Sequence, residues 1–104
     1  MSKNEMPVHG PFSEKLAWAG DGKKMWHIHS DGTPAYNQRY DWTENFHEGL
    51  AEARENGRCF HIRKDGSPAY TERYDQVDFF HGGTARACLG GEEFQINQDG
   101  KRVE

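Results

Sequence analysis

Hydrophobic and polar positions alternate along this chain in short runs broken by glycine, and the runs recur. In the middle of the sequence Leu50-Ala-Glu-Ala-Arg alternates, Asn56-Gly57 interrupts, and Arg58-Cys-Phe-His-Ile-Arg alternates again. Period two with an Asn-Gly step between the runs predicts a β-hairpin. Asp65-Gly66 supplies a second tight turn before a short extended run, Pro68-Ala-Tyr. The flanking segments repeat the scheme, with Gly20-Asp21-Gly22 and Gly90-Gly91 in the first turn and Asp31-Gly32 and Asp99-Gly100 in the second. Glycine, Asn or Asp belongs there because these turns need positive φ. Each segment therefore predicts a three-stranded antiparallel meander followed by a polar connection, Tyr40 to Gly49 or Tyr74 to Gly83. A turn of α or 3₁₀ helix around the Tyr-Asp step stays open, but no apolar period of 3.6 persists long enough for a true helix.

The spacing of the copies is 34 residues. Laying Trp26–Arg54 over Phe60–Cys88 gives 15 identities in 29 positions. They include His27/His61, Asp31/Asp65, Gly32/Gly66, Pro34/Pro68, Tyr36/Tyr70, Tyr40/Tyr74, Asp41/Asp75, Phe46/Phe80 and His47/His81. Phe12, Leu16, Ala17 and Ala19 begin the register, and Phe94, Ile96, Asp99 and Gly100 continue it. A repeated unit buries its apolar face against its neighbours. The expectation is an all-β fold of three tandem meander units in an open stack, with a closed small barrel or trefoil-like arrangement as the alternative. Residues 1–11 read as an N-terminal tail and 12–104 as a single repeat domain, with units 12–45, 46–79 and 80–104.

Alternation also assigns faces. Trp26/Ile28, Phe60/Ile62 and Phe94/Ile96 fall on one side of the second strand, taken as the core side, and the Ala-x-Ala pairs of the first strand suit close packing. The opposite side carries His27 and His29, His61 and Arg63, Gln95 and Asn97, which predicts an outward polar ladder. The spacing His27-x-His29 places two imidazoles on one face, as zinc or copper requires, with His61 as a third ligand. That metal site is the weaker alternative, because Arg63 replaces His29 in the next copy and repels a cation. Recurrence instead marks His27/His61 and His47/His81 as framework positions, hydrogen-bonded within their units. Asp31, Asp65 and Asp99 serve turns, while Asp41 and Asp75 cap backbone N–H groups or bond a neighbouring unit.

Composition narrows the function. Of 104 residues only 34% are hydrophobic, yet 3 Trp, 4 Tyr and 6 Phe stand largely at recurring places, so a thin aromatic core is expected rather than disorder. The net charge of -4, mixed in sign along the chain, argues against nucleic acid and against an anionic membrane as partner. The first residues hold no apolar run, and Cys59 and Cys88 match no metal or redox spacing, so both read as reduced and structural in a cytoplasmic protein. No nucleophile elbow, phosphate loop or facing carboxylate pair emerges, so no catalytic residue and no cofactor is expected. Trp18 and Trp42, which do not recur, are the aromatics best suited to a surface role.

Three stretches carry a family resemblance. Gly10-Pro-Phe-Ser-Glu-Lys-Leu-Ala, Tyr40-Asp-Trp-Thr-Glu-Asn-Phe-His-Glu-Gly-Leu-Ala and Tyr74-Asp-Gln-Val-Asp-Phe-Phe-His-Gly-Gly-Thr-Ala resemble the bacterial WG-repeat (KWG) family, with Ile28, Ile62 and Ile96 each four residues before a glycine in phase. The Trp-Gly pair that names the family is replaced by Met25-Trp26, Cys59-Phe60 and Glu93-Phe94, which suggests a divergent branch. The resemblance implies a β-rich interaction scaffold and supplies no catalytic residues. The expected function is a non-enzymatic interaction module whose protein partner docks on His27, His29, His61 and Arg63, with Trp18 and Trp42 as further contacts. A free edge strand offers a second route, to a partner or to a homo-oligomer. The alternative is a carbohydrate-, other small-molecule- or metal-binding domain using the same histidine-rich face.

Overall fold

A computed structural model describes residues 7–103. Among these the chain is all-β, with ten strands: β1 Val8–His9, β2 Ala17–Gly20, β3 Met25–Ile28, β4 Trp42–Thr43, β5 Ala51–Glu55, β6 Arg58–Ile62, β7 Gln76–Val77, β8 Ala85–Leu89, β9 Glu92–Ile96 and β10 Arg102–Val103. They form three antiparallel sheets, ordered β1-β2-β3, β4-β5-β6 and β10-β9-β8-β7. No sheet closes on itself, and the molecule measures 52 × 26 × 19 Å, so the sheets stand in an open row. The closed barrel or trefoil alternative is thereby corrected to the open stack. Among the described residues no helix is long and apolar enough to cross a membrane.

The units are cut differently from the sequence expectation. The connection after Tyr-Asp opens on a two-residue strand: Trp42 and Thr43 pair with Arg54 and Ala53 of the following hairpin. Gln76 and Val77 pair in the same way with Cys88 and Ala87, and Val8 and His9 with Gly20 and Ala19. Part of the expected N-terminal tail therefore belongs to the first sheet, while its residues 1–6 lie outside the described ones. The predicted last strand is reduced in two copies to the single bridges Ile28–Pro34 and Ile62–Pro68, because proline has no N–H to extend the ladder. In the third copy Arg102 stands at the proline position, and β10 forms beside β9. Each sheet is thus a four-part meander, and the chain passes to the next at Tyr-Asp.

A second tight turn sits within the connection. Ser13 and Leu16, His47 and Leu50, and His81 and Thr84 form bridges around two residues of positive φ. Glu14 and Glu48 adopt φ 54 there, as Asn56 does in the hairpin turn.

Neighbouring units lock through aromatic rings. A Cβ on Gly66 would lie 2.4 Å from the Tyr36 ring, and one on Gly100 2.3 Å from the Tyr70 ring, so each ring lies flat against a backbone that only glycine leaves open. Tyr40 and Tyr74 then donate their hydroxyls to the carbonyls of those same glycines. Tyr40 also meets Phe60 edge-on at 5.8 Å, and Tyr74 meets Phe94 at 5.7 Å. Arg39 covers Trp26 at 4.4 Å and Arg73 covers Phe60 at 3.9 Å. The alanines of the first strand of each hairpin are buried, as close packing requires.

Carboxylates add a polar link. Glu48 and Gly49 donate their N–H groups to Glu14 at 2.7 and 2.9 Å, and Gly82 and Gly83 donate to Glu48 at 2.6 and 2.9 Å. Asp41 accepts from Asn56 N and Asp75 from Gly90 N, reaching the hairpin turn of the next unit.

Gly66→Ala is expected to cost about 3 kcal/mol or more, since it adds left-handed strain and drives a methyl into the Tyr36 ring. Gly22 has φ +89 but open space around it, so Gly22→Ala carries the backbone strain alone, about 1 kcal/mol. Urea unfolding of the two variants measures the difference.

Candidate functional site

The outward histidine ladder does not form. His27 and His61 are fully buried, and both faces of β6 are covered. Their Nδ1 atoms accept from the hydroxyls of Tyr36 and Tyr70 at 2.6 Å. Their Nε2–H groups donate to the carbonyls of Glu44 at 2.7 Å and Asp78 at 2.8 Å. A carbonyl only accepts, so the proton sits on Nε2. The rings lie 4.4 and 4.5 Å from Phe46 and Phe80. Burial pushes both imidazoles down to about 4, against the opposing pull of the carbonyl bonds.

The docking surface built on His27 and His61 is therefore corrected: the next unit supplies a phenylalanine over each ring, which the strand alternation alone does not show. The metal set His27, His29 and His61 is corrected as well, because both nitrogens of the two buried rings are engaged. Among the described residues no group of three or more His, Cys, Asp or Glu is placed to hold a metal ion.

The remaining predicted residues scatter. His29 is exposed at the turn after β3. Arg63 is exposed and folds back on the Pro68 and Ala69 carbonyls at 2.9 and 3.1 Å. Trp18 is half-buried and covers Gly10, where a Cβ would lie 2.3 Å from the indole nitrogen. Arg63 also lines an open cavity of about 450 Å³ with Glu48, Lys64 and Asp99, and Trp42 lines a second, smaller one.

That cavity is a groove of about 260 Å³ between the second and third sheets, built mainly by Trp42, Glu52, Arg54, Cys59, Asp78 and Arg86. Register places Arg54 opposite Trp42, and its guanidinium lies 5.4 Å from the ring centre. Asp78 holds Arg86 by Nε at 2.8 Å, and Glu93 takes Nη1 at 2.9 Å. Arg54 is exposed and makes no ion pair among the described residues. Glu52 Oε1 is buried with no hydrogen-bond partner. Burial, then Glu44 and Asp78, push the Glu52 carboxyl up to about 7. Cys59 is buried and donates weakly to Asp75 O at 3.5 Å, and neither it nor half-buried Cys88 is in a disulfide.

Glu52, Arg54 and Arg86 escaped the sequence reading, although a signal existed. The position between the paired alanines is Trp18, Glu52 and Arg86 in the three copies, and the position eight residues earlier is Gly10, Glu44 and Asp78. The couples face each other as ring over glycine, two acids, and an ion pair. Framework columns hold one residue type; this one changes chemistry at every step.

Lowered histidine pKa values mean that the unfolded chain binds protons first, so stability is full above pH 6.5 and falls as pH drops toward 4. Glu52 acts oppositely: its stabilising protonated form prevails below 4.5 and is lost as pH rises through 7. Between pH 4.5 and 6.5 the wild type is expected to lose about 1.4 kcal/mol per pH unit on acidification, the difference between two histidines and one glutamate. In Glu52→Gln the two histidines act alone, about 2.7 kcal/mol per unit. At pH 8 Glu52→Gln is expected to be more stable than wild type by about 2 kcal/mol, allowing for partial solvent screening. Urea unfolding followed by tryptophan fluorescence across this range checks both expectations.

Comparison with known proteins follows the same segmentation. No curated protein matches the chain. The family model of the WG containing repeat matches residues 28–59, from the end of β3 through Tyr40-Asp41 and β5 into β6. That stretch contains one whole passage between sheets, and the 34-residue period carries its framework positions to the rest of the chain. Residues 28–59 thus match the WG containing repeat, and over that stretch the chain is similar to proteins built from it.

Proposed function

We propose that the chain is a non-enzymatic interaction module that receives a protein partner in the groove between its second and third sheets. One observation carries this reading: the recurring residues are spent on the scaffold, while the groove is lined, Ala53 apart, by positions where the copies differ. Trp42 and Arg54 are side chains of the kind that anchor protein interfaces, a ring with a guanidinium over it at the rim of a small cavity. Arg54 is the open cation, suited to an acidic side chain of the partner. The groove's thiol, Cys59, is buried, and among the described residues no histidine stands in the cavity to activate it.

Affinity capture with the wild type and with the Trp42→Ala, Arg54→Ala double variant tests the proposal. Both side chains stand at the rim, so the variant is expected to keep a similar melting temperature while recovering at least tenfold less of a protein partner. Equal recovery by both baits sinks the groove. A thermal shift with a sugar, Zn²⁺ or Cu²⁺ that disappears in the same variant instead favours a small-ligand site.

A further inference from the structure

The turn after each leading phenylalanine is one site occurring three times, twice filled and once open. At Glu48–Gly49 and at Gly82–Gly83 two consecutive residues of positive φ turn both N–H groups toward the preceding unit, and one glutamate takes both. The Glu14–Lys15 turn has the same backbone, φ 54 and 75, closed by the same kind of bridge, Ser13–Leu16. Among the described residues no acceptor reaches the N–H of Glu14 or Lys15. Phe12 beside it is 41% exposed, whereas Phe46 and Phe80 are 0% and 1% exposed beneath His27 and His61. Among the described residues the one ring that approaches Phe12 is His9, tilted, with ring centres 5.6 Å apart.

The geometry points to this end of the stack as a docking face for a WG-type repeat of a separate chain, one with glutamate at the position of Glu14 and Glu48. Paired N–H groups form a small nest that takes a carboxylate by two charge-assisted bonds. The exposed Phe12 ring receives the apolar half of the contact. The chain makes this whole contact internally at its two other turns, which fixes the chemistry of the occupant. A second copy of this chain lacks the accepting carboxylate, because Gly82 stands at the glutamate position in its third turn. A Cβ there meets nothing within 4 Å, and φ +64 is close to the value that Glu14 and Glu48 already adopt. Gly82→Glu therefore converts the chain into the missing partner.

This face lies apart from the groove, so the Trp42 and Arg54 substitutions leave it intact and the two proposals fail separately. The test is a titration of ¹⁵N-labelled wild type with unlabelled Gly82→Glu chain, read by amide NMR. Saturable shifts are expected at Glu14, Lys15 and the neighbours of Phe12, with a midpoint at least tenfold lower than for Gly82→Gln, which keeps the shape but not the charge. In sedimentation equilibrium Gly82→Glu alone is expected to gain mass with concentration. Unmoved Glu14 and Lys15 amides at about 1 mM partner, where even a weak complex forms, overturn the proposal. So do equal shifts with Gly82→Gln.

Discussion

The stack depends on a flat ring laid against a bare backbone. Tyr36 on Gly66 and Tyr70 on Gly100 bring successive units to a distance at which every other contact between them becomes possible. The hydroxyls of Tyr40 and Tyr74 reach the glycine carbonyls, and the phenylalanines slide under the buried histidines. A chain with so few aliphatic residues has no large core to fall back on. It replaces a central core with a row of aromatic joints, each shared by two units and each with its polar edge bonded.

The fold was largely legible because its determinants are local. Turn glycines, alternating runs and the 34-residue period located both long strands of each hairpin and their partner relations. What stayed hidden was decided by neighbours in space. Trp42-Thr43 and Gln76-Val77 are too short to announce themselves as strands, and they pair only because the following hairpin offers an edge. His27 alternates with Trp26 and Ile28 as an outward residue does, yet the next unit's Phe46 closes over it. Alternation distinguishes two faces of a strand but cannot say that both are covered.

The same distinction explains the candidate site. Trp42 was visible as an aromatic outside the repeat, while Glu52 was lost inside an ordinary Ala-x-Ala run. Its burial without a partner for Oε1 is a local conflict within an otherwise well-bonded scaffold. Neighbouring Glu44 aggravates it, whereas the next copy resolves the corresponding pair as Asp78 with Arg86. A scaffold that tolerates ring, acid and base at one position has room there for chemistry unrelated to folding.

Pro34 and Pro68 lie where the outermost strand of their sheets barely forms. A sheet edge is an invitation to any extended chain that passes, and a row of three sheets repeats the invitation. Proline withdraws it at two of them, since it has no hydrogen to give and its ring bars close approach. The third sheet replaces proline with Arg102 and lengthens its edge, setting a charge there instead. A molecule assembled from edges is thus protected at its flanks against indiscriminate lateral pairing, which leaves its ends and its groove as the places where contact can be selective.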